Sequence, residues 1–119
     1  MSKKLAIILI NWNSFDLTKD TLESLQQTTY TNYDCIVVDN GSMDVSGNAL
    51  KLQFPNVILI ESETNKGFTG GNNVGIHYAL EQGFEQVLLL NNDTTVTPSF
   101  LKELQTYLHQ PERGVAQPL

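Results

Sequence analysis

The chain has one cysteine, two histidines and only seven lysines and arginines against thirteen acidic residues, for a net charge of −6. A single cysteine, Cys35, excludes an internal disulfide, and its place beside "IVVD" suits a buried strand thiol in a reducing compartment. A cytoplasmic location is therefore expected, with the inner face of a membrane as the place for any peripheral association. Basic residues gather on no one stretch, which argues against nucleic acid as a partner. No stretch approaches the ~20 apolar residues of a membrane span. The start "MSKKLAIILI" has a basic end and a short apolar run, but the run is too short for a secretory leader and no small-residue cleavage site follows.

What is present has the size of one domain, residues 1–119. Four apolar, β-branched or leucine-rich runs cover residues 5–10, 35–38, 57–60 and 87–90, nearly continuous as in strands covered on both faces. Helical spacing falls between them. Asp16 is placed to cap a helix carrying Leu17, Thr21, Leu22 and Leu25; a second helix covers residues 47–53 before Pro55. A third runs over 71–81 with Val74, Tyr78 and Leu80 in its stripe and Gly83 as its stop. The fourth takes Thr97 as N-cap and Pro98 as its first residue, with Phe100, Leu101, Leu104 and Leu108 on its buried side. This order, βα four times, predicts a mostly parallel sheet between two layers of helices, with ligands beyond the carboxyl ends of the strands. The tail "RGVAQPL" reads as a fifth strand beginning, so the chain is expected to be cut from a longer protein, with a sheet edge through which the fragment could self-associate.

Each strand-end loop holds a candidate and a plainer reading beside it. "NKGFTGGNN" fits neither common glycine fingerprint; its glycines permit close approach to an anion at a helix start, or simply a tight turn. Asp39, ending "CIVVD", is an acceptor for the imide N–H of uracil or thymine, or an Asx-turn into "NGS". Trp12 offers a ring for a base to stack on, or ordinary packing at a sheet end. Asp93 in "LLLNNDTT" is a hard-oxygen ligand for Mg²⁺ or Mn²⁺, with Asn91 as a neutral neighbour, or a turn residue. His77 and Glu81, four apart, read as a solvated pair, and His109 as a helix-end imidazole. Tyr78, Phe84 and Phe100 read as core or core edge, and Glu61, Glu63, Glu81 and Glu85 as solvated charges.

In this order, "AIILINWN", "LESLQQTTYTNYDCIVVDNGSMD", "NKGFTGGNNVGIHYAL" and "LLLNNDTTVTPSFLKEL" resemble the nucleotide-sugar-binding half of family-two glycosyltransferases of the GT-A fold, most of all the rhamnosyltransferase-like branch. The resemblance implies an α/β three-layer sandwich truncated after the fourth βα unit. It places Trp12 and Asn13 by the base, Asp39 on the pyrimidine, and Lys66, Gly67 and Asn72 in the loop near the ribose, diphosphate or sugar. Asn91, Asn92 and Asp93 match the metal-binding DXD element, with Asp93 on the metal and Asn91 replacing the usual first aspartate. The implied function is inverting, metal-assisted transfer from a UDP- or dTDP-sugar, dTDP-rhamnose among them, to a glycan or lipid-linked acceptor, as in cell-wall or polysaccharide synthesis. The catalytic base is expected outside these residues. A nucleotide-binding α/β module without transfer chemistry is the alternative.

Overall fold

The structure, a computed structural model, describes residues 4–108. Its elements are β1 (Leu5–Asn11), α1 (Phe15–Gln26), β2 (Tyr33–Asn40), α2 (Ser46–Gln53), β3 (Ile58–Ser62), α3 (Gly67–Glu81), β4 (Gln86–Leu89) and α4 (Phe100–Leu108). The strands lie in the order β3-β2-β1-β4 and all pair in parallel, as the alternation of strands and helices requires.

The central strand β1 shows why its run is continuously apolar. Leu5, Ile7 and Leu9 point to one face, where Leu22 and Leu25 of α1, Leu50 of α2 and Leu101 and Leu104 of α4 close over them. Ala6 and Ile8 point to the other, against Ala79 and the partly buried Val74 and Tyr78 of α3. These five β1 side chains are withdrawn from water, and each leucine or isoleucine among them contributes about 1.5–3 kcal/mol by burial. Helix α3 sits close because its buried positions are small: a Cβ added at Gly75 would stand 2.6 Å from Ile8 Cγ2.

Several boundaries differ from expectation for physical reasons. Helix α1 begins at Phe15, so Asp16 lies in its first turn and Ser14 holds the cap position; Leu17 faces out, and Thr18 takes its place on the buried side. Helix α3 begins at Gly67 instead of 71, because tertiary contacts with β1 and β2 outweigh the poor helix propensity of its glycines. Gly71, Gly75 and Ala79, spaced by four, form its buried stripe and leave Leu80 exposed. Pro98 and Ser99 form a turn ahead of α4, closed by Phe100 N–H on the Thr97 carbonyl and held where the Pro98 carbonyl accepts from Thr29 N–H. In β4, Leu88 is buried but Val87 and Leu89 are more than a third exposed, the strand lying at the edge of the sheet among the described residues. Tyr78, Phe84 and Phe100 pack at the core edge. The expected fifth strand at 113–119 and His109 lie outside the described residues.

Candidate functional site

The strand order reverses beside β1: β2 and β3 lie to one side and β4 to the other. Open parallel sheets place a crevice at such a point, beyond the carboxyl ends of the strands. A cavity of about 440 Å³ occupies it, lined by Trp12 and Ser14 after β1, Asn40 at the end of β2, Gly67 and Phe68 at the start of α3, and residues 90–93 after β4. Of the residues singled out from sequence, Trp12, Gly67, Asn91, Asn92 and Asp93 line this cavity. Asn13, Asp39, Lys66 and Asn72 do not line it; the first three are chain neighbours of residues that do, and Asn72 is buried within α3.

Trp12 is 48% exposed, an indole face left open at the cavity wall. Asn13 adopts φ +47°, a left-handed conformation that asparagine tolerates better than most residues. That bend lets Asn13 N–H donate to Ser42 Oγ (3.0 Å) while Asn13 Oδ1 accepts from Met43 N–H (2.8 Å), fastening the β1–α1 loop to the β2–α2 loop. Asp39 is buried. Its Oδ1 accepts from the Ser42 hydroxyl and from Asn11 Nδ2 (3.3 Å), while Oδ2 lies against Gly47, where an added Cβ would run into it.

Asn40 holds the next loop. Its Nδ2 donates to Asn65 Oδ1 (3.1 Å) and to the Gly67 carbonyl (3.0 Å), and its Oδ1 accepts from Lys66 N–H (3.0 Å). Asn65 Oδ1 also accepts from Gly67 N–H (2.7 Å). At Gly41, φ is +77° and a Cβ would stand 2.5 Å from Asn65 N, so only glycine lets the two loops touch. The "NKGFTGG" stretch is consequently the N-terminal end of α3, its first amides beside the cavity with the positive end of the helix dipole. The Lys66 side chain is exposed, and Asn72 is buried in the second turn of α3.

The "NND" segment is a turn and also a presenting loop. Thr94 N–H donates to the Asn91 carbonyl (3.1 Å), closing the turn. Asn92 is anchored twice: its Nδ2 donates to Thr18 Oγ1 (3.1 Å), and its carbonyl accepts from Thr21 Oγ1 (2.7 Å). Asp93 is exposed at the cavity, and among the described residues its carboxylate has no hydrogen-bond or ion-pair partner. No group of three or more His, Cys, Asp or Glu side chains is placed to hold a metal ion among the described residues. The donor set is thus one free carboxylate with neutral amide oxygens beside it. Such a set fits an ion that arrives carrying water and phosphate oxygens, and does not fit a preformed cage.

Sequence reasoning missed the residues that hold the site: Asn11, Ser14, Thr18, Asn40, Ser42 and Asn65. A signal for two of them was present, since β1 ends in "LIN" as β2 ends in "VDN", each placing a polar amide at the buried carboxyl end of an apolar run.

A larger cavity, about 490 Å³, lies at the opposite end of the strands among Leu22, Leu25, Tyr33, Cys35, Phe54 and Val57. Burial, with the nearby Asp34 charge, pushes the Cys35 thiol up to about 12, so it is inert at neutral pH. Tyr33 is also raised by burial, and its hydroxyl is spent on the Leu25 carbonyl (2.9 Å). Volume alone does not make this a site, because its reactive groups are neutral or occupied.

Comparison with known proteins bears on the family and the fold. A hexosyltransferase of low-salt glycan biosynthesis from Haloferax volcanii, Agl10, is 32% identical over 111 residues, covering 92% of this chain and 34% of that relative. The dTDP-rhamnosyl transferase RfbF of Shigella flexneri is 30% identical over 84 residues, covering 71% of this chain and 28% of that relative. The chain therefore spans about a third of the length of these curated relatives. Among solved structures, S. aureus TarS 1-349 in complex with UDP superposes with a TM-score of 0.77 at 23% identity, covering 96% of this chain and 38% of that one. The mannosyltransferase PcManGT of Pyrobaculum calidifontis, in complex with GDP-Man and Mn²⁺, gives 0.76 at 19% identity, covering 93% and 34%. These neighbours share the GT-A type of α/β fold expected from the sequence. Residues 6–119 match the family described as glycosyl transferase family 2, and the chain belongs to that family.

Proposed function

We propose that the chain is the donor-binding part of an inverting glycosyltransferase that takes a UDP- or dTDP-sugar and passes the sugar to a glycan or lipid-linked acceptor. The observation that carries this reading is the cleft between β1 and β4, with an exposed indole on one wall, the start of helix α3 on another and, on the third, a carboxylate that has no partner among the described residues. In this reading Trp12 stacks on the base. Asp39 Oδ2 accepts the imide proton while Oδ1 stays tied to Ser42 and Asn11. Asn13 keeps the two base-side loops together, and the α3 N-terminus, with Gly67, Lys66 and Asn72, faces the ribose, diphosphate or sugar. Asn91, Asn92 and Asp93 form the metal-side turn, and Asp93 is the protein's own ligand for Mg²⁺ or Mn²⁺.

A bound divalent ion supplies Lewis-acid stabilisation of the departing nucleoside diphosphate. The chain's own residues orient that group and bring amide dipoles to it. Among the described residues, Asp93 is the only acid lining the cleft, and once it holds the ion it is not free to take the acceptor's proton. In this reading the general base lies outside residues 1–119, as the resemblance to the family implies. We place the protein in the cytoplasm, where nucleotide sugars are available to it.

The test is calorimetric titration with UDP, dTDP, CDP and GDP, each with and without Mn²⁺. UDP and dTDP are expected to bind more tightly than CDP, and Mn²⁺ is expected to tighten UDP in the parent but not in Asp93→Ala. The same Mn²⁺ enhancement in both proteins would show that "NND" is only a turn.

A further inference from the structure

The two walls of the cleft are joined by a buried chain of hydrogen bonds that crosses beneath it. Asn92 Nδ2 donates to Thr18 Oγ1 (3.1 Å), Thr18 Oγ1 donates to Asn11 Oδ1 (2.7 Å), and Asn11 Nδ2 reaches Ser46 Oγ (2.8 Å) and, at longer range, Asp39 Oδ1 (3.3 Å). The direction is forced. A hydroxyl has one proton, and Thr18 spends it on Asn11, so toward Asn92 it can only accept. Every donor in the series then points the same way, from the "NND" turn toward the Asp39 carboxylate. Asn11 and Thr18 are fully buried, so neither can exchange these partners for water without cost. Head-to-tail bonds that end on a negative charge polarise one another and strengthen together.

Resting on the donor-binding reading of the cleft, we infer that Asn11 and Thr18 are positioning residues that couple the base-side Asp39 to the metal-side Asn92 turn. Neither lines the cleft. Thr18 sets where the turn carries Asp93, because Asn92, its immediate neighbour, is fixed to Thr18 through its side chain and to Thr21 through its carbonyl. Asn11 sets where Asp39 sits. Filling one wall therefore steadies the other, and the Mn²⁺ enhancement of nucleotide binding depends on a residue that touches neither metal nor nucleotide.

The experiment compares the Mn²⁺ enhancement, the ratio of UDP dissociation constants without and with the ion, across the parent chain, Thr18→Val, Thr18→Ser, Asn92→Ala and the Thr18→Val/Asn92→Ala double variant. Valine keeps the shape of threonine and removes the hydroxyl; serine keeps the hydroxyl. Thr18→Val and Asn92→Ala should each lower the enhancement by about fivefold, the lower end of typical coupling between sites. Thr18→Ser should restore it, and the double variant should be no worse than either single one, as expected for two members of one network. A purely packing role for Thr18 would lower the melting temperature and leave the enhancement at the parent value, and that outcome overturns the inference. So does a double variant in which the two losses multiply. If Thr18→Val does not fold, Thr18→Ala with Asn92→Ala makes the same comparison and is read by the same two outcomes. Asp93→Ala is run alongside: if it keeps the full enhancement, the donor-binding reading itself has failed, whereas loss in Asp93→Ala with none in the Thr18 variants defeats the coupling alone.

Discussion

At the amino ends of the strands, the space among α1, α2 and β2 is larger than the cleft at the carboxyl ends, yet its thiol is neutral, its phenol is bonded to a carbonyl and much of its wall is leucine, phenylalanine, proline and valine. At the carboxyl ends the cleft is slightly smaller, but it is edged by asparagines, serine, an open indole and a carboxylate without a partner among the described residues. The same strand, β2, serves both ends: Cys35 enters the first and Asp39 flanks the second. The contrast teaches that a candidate site is marked by an exposed carboxylate and ring beside a helix start, and not by the amount of empty space.

The largest expected effect belongs to the closed end. With the Cys35 thiol at about 12 against an ordinary 9.0, its thiolate fraction near pH 8 is about a thousandfold lower than in the unfolded chain, so labelling by a thiol reagent should be slower by roughly that factor until denaturant is added. Because the folded value is raised, the associated stability is fully present below about pH 9 and is lost as pH climbs toward 12. Urea midpoints that stay level across that range would contradict the burial of this thiol.

At the open end, Asp93→Ala is expected to remove the whole Mn²⁺-dependent gain in UDP affinity while shifting stability by no more than about 0.5 kcal/mol, since the side chain is exposed and has no partner among the described residues to lose. Calorimetry and a urea melt on the same sample check both halves. Asp39→Ala should behave oppositely on stability, costing about 1–3 kcal/mol because Asn11 and Ser42 lose a buried acceptor. Equal melting temperatures for the two alanine variants would erase the distinction between a held aspartate and a free one. The smallest effect is on base choice: UDP over CDP by about fivefold, one hydrogen bond's worth, narrowing in Asp39→Asn. Equal affinities for UDP and CDP in the parent would remove Asp39 from the base.

The alternation of strands and helices was legible because each apolar run is bounded by polar, turn-forming residues, and the parallel sheet follows from that alternation alone. Trp12 and Asp93 were legible as candidates because both are chemically conspicuous at the ends of such runs. What stayed hidden depends on tertiary contact. The start of α3 at Gly67 cannot be read from a glycine-rich stretch, since helix propensity points the other way until Asn40 and Ile10 are in place against Gly71. Thr18 is an ordinary helix residue until Asn11 and Asn92 arrive from 7 and 74 positions away. Leu17 and Leu80 mislead because a leucine in a helix suggests a buried face, while the faces that pack here carry threonines and glycines.

The strand order also has a consequence for the chain as it is made. Synthesis delivers β1, β2 and β3 first, and these can pair as soon as Ser62 has emerged. The other edge of β1 pairs only with β4, whose last residue is Leu89, and the chain must cross both β2 and β1 to reach it. At ordinary translation speeds the nascent protein spends on the order of seconds with the open edge of its most apolar strand exposed. During that interval the β1–α1 and β2–α2 loops can already be in place, but the wall that carries Asp93 does not yet exist. Such an edge is a template for pairing with another chain until β4 arrives to cover it.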